Sequence, residues 1–432
     1  MLGLESKKGV EMMEKINELE ISLFDLVVII SHNLNLIYGD LEWHHEKVAY
    51  ITYKLVTKLN YTEQEKKTLI MAAALHDIGI LNLTNEKIDV IKAVELNDEE
   101  KILEHAKIGG VLIERFQHLF SFEGMEDLIY YHHTNWDSDD LHLEQGNKKD
   151  LGSHILHLAD RVAILTKGHK NVLNQKQEIM EQIKDRSGTV FAPQLVEILT
   201  EVAEQESFWL TFDTPKIIEK KLRENQEVDL KVNLDMEELL DVSEFFSQII
   251  DLRSRFTFVH SQGVAAVAAK LAGEIGWSKE EIKKIKIAGY LHDIGKLTVP
   301  KEILNKPDKL SQNEYQIMQS HPFHTYYSLD MLGLTEIRNW ASFHHERKDG
   351  TGYPFKKDNL STGSKIMAVA DVFTAITEDR PYRDGMGEDE ATRLLVSMTE
   401  NNKLDSDLAE IIINNYQEFN HLRDDIQVKY LA

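Results

Sequence analysis

Apolar positions recur along this chain at helical spacing. Val264, Val267, Ala268, Leu271 and Ile275 fall three or four residues apart, and Gly276 stands where a C-terminal cap is expected. Ile282, Ile285, Ala288 and Leu291 then form a stripe that runs into His292 and Asp293, with Ile294-Gly295 placed to end the helix. An earlier segment repeats this: Leu69, Ala72, Ala73 and Leu75 lead into His76 and Asp77, and Gly79 follows as a stop. Residues 1–30 read as a helical lead with heptad-like Ile16, Leu19, Leu23 and Leu26, suited to packing or to pairing of two copies. Between about 170 and 240, charged amphipathic segments are interrupted at Ser187-Gly188, Pro193 and Pro215. With 7 Pro and little period-two alternation, the pattern predicts an all-α protein.

The repetition predicts two tandem helical domains joined by a helical linker region. The expected layout is a lead over 1–30, a first domain over 31–175, a connector over 176–237 and a second domain over 238–432. The boundary is placed near 225–238, where Asn225-Gln226-Glu227 carries little hydrophobic content.

Charge narrows the function. Lys and Arg number 49 against 73 Asp and Glu, a net charge of −24, which disfavours a broad footprint for duplex nucleic acid or an anionic membrane. A phosphate ester would have to be met locally, by metal and a few cations. The absence of cysteine excludes disulfides and thiolate sites. The apolar run from Leu26 to Ile30, flanked by Asp25 and His32, is too short to span a bilayer and no cleavable signal follows it, so a cytoplasmic protein is expected.

Two sets of metal-ligand residue types share one spacing. The first is His44, His76, Asp77, His105, His132, His133 and Asp160; the second is His260, His292, Asp293, His321, His344, His345 and Asp371. His44 to His76 and His260 to His292 both span 32 positions, and His76 to His105 and His292 to His321 both span 29. Later gaps drift, 27 against 23 and then 27 against 26. Imidazole and carboxylate together bind divalent first-row metals such as Fe, Mn, Ni or Zn. Seven such ligands hold two ions when one carboxylate bridges.

An adjacent His-Asp at a helix end, with further His and Asp from other helices, resembles the HD phosphohydrolase superfamily. The second half resembles its HD-GYP subfamily nearly motif for motif, through Leu291-His292-Asp293-Ile294-Gly295-Lys296, Val299-Pro300, Ile303-Leu304-Asn305-Lys306-Pro307, His321-Pro322, the run from His344-His345-Glu346 to Asp349-Gly350-Thr351-Gly352-Tyr353-Pro354, Ala370-Asp371-Val372-Phe373 and Asp379-Arg380-Pro381-Tyr382-Arg383. Members of that family hydrolyse bacterial cyclic dinucleotides, chiefly cyclic di-GMP. The resemblance implies a metal-dependent phosphodiesterase acting on cyclic di-GMP or 3'3'-cyclic GMP-AMP through a hydroxide activated by two metals. It assigns His260, His292, Asp293 and Asp371 to one ion and His321, His344 and His345 to the other, with Asp293 bridging. Two divalent ions are expected, Fe or Mn favoured and Ni or Zn also suited.

Lys296, Arg380 and Arg383 are placed to grip phosphate oxygens, and Tyr353 offers an aromatic face for a base. Two departures stand out. Phe256 lies where members with a third metal carry glutamate, and Thr325 lies where glycine is usual, so the substrate wall is expected to differ there. The first repeat keeps every ligand, and so a candidate second metal site, but loses the rest. Ile80 answers Lys296, an acidic run around Trp136-Asp137-Ser138-Asp139-Asp140 answers the Gly-Tyr-Pro loop, and His169 and Val172 answer the two arginines. Asp40 precedes His44 by four residues and offers weak support for a further metal. The first repeat then reads as a regulatory copy or a second phosphohydrolase. Competing readings of the whole are an HD-type nucleotidase or (d)NTP phosphohydrolase, and a silent nucleotide-binding signalling module.

Overall fold

The computed structural model describes residues 24–25, 27–29, 31, 43–82, 99–115, 122–138, 148–166, 171–223, 228, 230, 234–252, 259–379 and 384–431. Among these no β-strand forms, only an isolated bridge between Ser187 and Phe191, and no helix is long and apolar enough to cross a membrane. The chain divides into two compact units, 22–232 and 233–432. Ile16, Leu19, Leu23 and Leu26 of the expected lead, and Asn225-Gln226-Glu227, lie outside the described residues; Phe24, Val27, Val28 and Ile29 are buried.

The first unit contains α1 (His44–Val56), α2 (Glu63–Leu75), α3 (Glu99–Arg115), α4 (Met125–Tyr130) and α5 (Lys148–Leu165). Helix α1 packs on α2 and α5, while α3 packs on α4 and on a 3-10 turn, Ile78–Asn82. Residues 171–223 add α6 (Val172–Asp185), α7 (Pro193–Ala203), α8 (Glu206–Leu210) and α9 (Pro215–Arg223), and Tyr50 of α1 stacks on Phe208 of α8 with ring centres 6.0 Å apart.

The second unit contains α10 (Met236–Leu252), α11 (His260–Glu274), α12 (Lys279–Leu291), a 3-10 turn (Ile294–Thr298), α13 (Lys301–Leu304), α14 (Gln312–Met318), α15 (His321–Asp330), α16 (Thr335–Ser342), α17 (Thr362–Thr377), α18 (Glu388–Glu400), α19 (Ser406–Asn414) and α20 (Tyr416–Leu431). Helix α11 touches α10, α12, α17 and α20. Every residue from His260 to Ala268 is therefore buried, a wider burial than the single apolar stripe in the sequence suggested.

Helices α2 and α12 begin alike. Thr62 with Glu65, and Ser278 with Glu281, form reciprocal capping boxes that satisfy the first free amides. They also end alike, at Leu75 and Leu291, with His76 and His292 as C-caps. The glycines that follow are not the stops the sequence suggested. A Cβ on Gly295 would stand 2.0 Å from the His321 carbonyl oxygen, and one on Gly79 would stand 2.0 Å from that of His105. Their lack of a side chain lets the 3-10 turn press against the helix that carries the next histidine.

Candidate metal centres

In the second unit the expected ligands arrive from five places: His260 opens α11, His292 and Asp293 follow α12, His321 opens α15, His344 and His345 follow α16, and Asp371 sits within α17. Asp293 stands between two groups of imidazoles. Its Oδ2 is 3.1 Å from His292 Nε2, and its Oδ1 is 3.3 Å from His321 Nε2 and 4.0 Å from His344 Nε2. His260 Nε2 lies 3.3 Å from Asp371 Oδ1, His345 Nδ1 lies 3.7 Å from Asp371 Oδ2, and His321 and His344 bring their Nε2 atoms within 3.2 Å. All seven expected ligands thus face one small volume.

The first unit repeats the arrangement. Asp77 Oδ2 is 3.1 Å from His76 Nε2, while its Oδ1 is 3.2 Å from His105 and 4.0 Å from His132. His44 Nε2 lies 3.1 Å from Asp160 Oδ1, and His133 and His105 approach at 3.2 Å.

Protonation of the paired histidines and of the carboxylates in the second unit suits ligation, while around His260 and His76 burial is outweighed by carboxylates that raise those two imidazoles to about 10, so a metal would have to displace a proton there. Burial, with His292 adding repulsion, pushes His344 down to about 3, and His345 falls well below the usual imidazole range through burial and its neighbour His344. Burial works against ionisation of Asp293 and Asp371, but the cations and imidazoles around them hold both well below the usual carboxylate range. Neutral imidazole and ionised carboxylate are the forms a metal needs. Among the described residues, buried His292 Nε2, Asp293 Oδ1, His132 Nε2 and Asp160 Oδ2 find no hydrogen-bond partner. A buried polar atom without a partner is costly, and a divalent cation would satisfy all four, so both donor sets fit metal. Triads drawn from both units, including His260, His292 and Asp371 in the second and His44, His76 and Asp77 in the first, bring one donor atom each within 4.8 Å of the others.

Family models described as HD domain match residues 43–165 and 244–408. Over 389 residues the chain is 31% identical to 3'3'-cGAMP-specific phosphodiesterase 1 of Vibrio cholerae, covering 88% of each protein. The chain belongs to the HD-GYP family. It is also 39% identical over 142 residues to a cyclic di-GMP phosphodiesterase of Pseudomonas aeruginosa, covering 32% of this chain and 34% of that one. A crystal structure of a cyclic GMP-AMP specific phosphodiesterase of V. cholerae shares the fold, with a TM-score of 0.62 at 23% identity over 90% of this chain and 96% of that one.

Around the second HD-GYP centre, Lys296 places Nζ 2.5 Å from Asp293 Oδ2. Lys296 and His345 keep 18% and 21% of their side chains exposed where Asp293 keeps 1%, so the site opens on their side. The Tyr353 ring lies against His345 at 4.8 Å. The Gly-Tyr-Pro loop is pinned by buried Glu346, whose carboxylate accepts from the amides of Phe355 at 2.7 Å and Lys357 at 2.9 Å. Close approach is required there, since a Cβ on Gly352 would meet Glu346 Cα at 2.4 Å.

Thr325 departs from the expected role in the substrate wall. It is buried, donates to the His292 carbonyl at 2.9 Å and accepts from the Gly295 amide at 3.1 Å, bracing the ligand turn from behind. In the first unit Ile80 is buried and Trp136 packs edge-on to His154. Arg380, Arg383, Phe256, Asp40, Asp139, Asp140 and His169 lie outside the described residues. Sequence reasoning missed Glu378, which accepts from His260 Nδ1 at 3.1 Å, and His45, buried beside Asp77. Adjacent histidines at 44 and 45 were the available signal for the second; Glu378 gave none.

Proposed function

We propose that this chain is a metal-dependent cyclic dinucleotide phosphodiesterase acting on cyclic di-GMP or 3'3'-cyclic GMP-AMP, with its catalytic centre in the second domain. The observation that carries the reading is Asp293, whose two oxygens face separate imidazole groups while Lys296 stands at one of them. Two divalent ions held there, Fe or Mn favoured over Ni or Zn, would supply an activated water and neutralise charge on the phosphoryl oxygens. His260, His292 and Asp371 hold one side of Asp293, and His321, His344 and His345 the other. Lys296, at the open edge, presents an ammonium to a non-bridging phosphate oxygen. Tyr353 walls the site beside His345, and Arg380 and Arg383 are assigned to phosphate on sequence grounds. Similarity over 88% of each chain to a 3'3'-cGAMP-specific enzyme supports this substrate class. The reading places the protein in the cytoplasm, without duplex nucleic acid as partner and with pairing of two copies through its amphipathic segments.

The first domain keeps its ligands but puts Ile80 where the second has Lys296, which favours a metal-binding regulatory role there. Incubating metal-loaded protein with a panel of cyclic dinucleotides, mononucleotides and (d)NTPs, then separating products by chromatography, tests the reading. Cleavage of cyclic dinucleotides that is lost in His292→Ala/Asp293→Ala is expected. Hydrolysis confined to mononucleotides or (d)NTPs would make the protein a nucleotidase, and no hydrolysis would leave a binding module.

A further inference from the structure

His45 has no counterpart in the second domain. There the residue after the first ligand is Ser261, which turns away from the metal cluster: its amide and hydroxyl donate to Asp251 at 3.1 and 3.0 Å. His45 turns inward. It is 4% exposed, its Nε2 lies 3.6 Å from Asp77 Oδ2, and its ring centre is 5.4 Å from that of His44 and 5.5 Å from that of His76. Neither ring nitrogen makes a hydrogen bond to any of the described residues. Burying an imidazole whose nitrogens are not hydrogen-bonded costs stability.

We propose that His45 is a third imidazole ligand in the first domain, joining His44, His76, Asp77 and Asp160 around one divalent ion. This rests on the reading that the first domain binds metal. The comparison with the second domain shows what the extra ligand changes. Beside Asp293 Oδ2 stands Lys296, a partly exposed cation that cannot ligate a metal while charged; beside Asp77 Oδ2 stands His45, an imidazole that can. Three nitrogens in place of two favour Co, Ni or Zn over Mn. Five protein donors also leave little of the ion open, whereas a catalytic ion keeps a position for water or substrate. The first site is thus built to hold its ion, and the second to use one.

The test uses full-length protein carrying His292→Ala, Asp293→Ala and His344→Ala, so that bound metal reports the first domain. Zn2+ and Co2+ are titrated in competition with a chromophoric chelator, and the visible spectrum of the Co2+ form is recorded. Adding His45→Ala should weaken binding by about 10-fold or more and change the Co2+ spectrum. His45→Phe keeps the ring volume without a donor; it should melt like its parent in chelator and show a smaller rise in melting temperature with Zn2+. Parent-like affinity and spectrum in both variants would overturn the assignment of His45 alone. A triple variant that binds neither ion would overturn the first-domain metal reading and His45 with it.

Discussion

Glu378 Oε2 lies 3.1 Å from His260 Nδ1, with both side chains buried. Three other expected ligand histidines of the second domain direct Nδ1 to a main-chain carbonyl three residues earlier: His292 to Gly289 at 2.7 Å, His321 to Met318 at 2.8 Å and His344 to Ala341 at 2.5 Å. His260 opens its helix, and Val259 before it already has a non-helical backbone at φ −135°. A carboxylate from the end of α17 takes the carbonyl's place. It fixes the tautomer, so that Nε2 is turned to Asp371 and to the metal. Glu378→Ala should lower metal affinity at this site by about 10- to 100-fold, while Glu378→Gln, whose amide oxygen still accepts from Nδ1, should recover most of it. Equal occupancy in all three proteins, measured by elemental analysis after dialysis against a chelator series, would show that Glu378 does not position His260.

Lys296 should behave differently. Its ammonium meets Asp293 Oδ2 and is partly exposed, whereas the imidazoles around it supply the ligand nitrogens. Lys296→Ala should leave metal content at least equal to wild type, since a competing cation is removed from the bridging carboxylate. Turnover should fall on the order of 100-fold with the loss of one charge-stabilising donor. Metal loss in that variant would move Lys296 from substrate to ligand support.

The two His-Asp clusters were legible in the sequence because residue type and spacing both survive in the repeats, and His44, His76-Asp77, His105, His132-His133 and Asp160 are what the helices bring together. The pairing of His260 with Glu378 was not: the partners are 118 residues apart and meet because the end of α17 reaches the start of α11. The inward turn of His45 depends on rotation at the first turn of α1, which period alone leaves open. Thr325 read as a site-facing departure for the same reason, since its direction is set by the close packing at Gly295.

Stability of the metal-stripped protein should peak near pH 6.5. Burial holds His45, His132 and His344 down to about 3, so below 6.5 the unfolded chain takes up protons at these positions that the folded protein refuses, and acid lowers stability. His76 and His260 behave oppositely. Burial disfavours their charge, but Asp77 and Asp160 around His76, and Asp371 and Glu378 around His260, raise both to about 10. Their stabilisation is full below 6.5 and is lost as pH rises toward 10. Melting temperatures measured in chelator from pH 5 to 10 should therefore trace a bell. A curve that climbs steadily to pH 10 would contradict the raised values of His76 and His260.

The first domain is expected to bind metal and contribute little to cleavage of the cyclic dinucleotide. Its expected ligands are brought together, yet Ile80 is apolar where Lys296 stands, so the cation of that position is missing. Metal bound to the native state adds directly to folding free energy, so stability and sensing are the roles left to it. Full-length His76→Ala/Asp77→Ala should keep the primary cleavage step within about 3-fold, the spread expected of context, while melting at a lower temperature in the presence of metal. Loss of that step in a folded variant whose second domain still holds metal would make the first domain part of the catalytic apparatus. Retention of the step with accumulation of the linear dinucleotide would make it a second hydrolase that acts on the product.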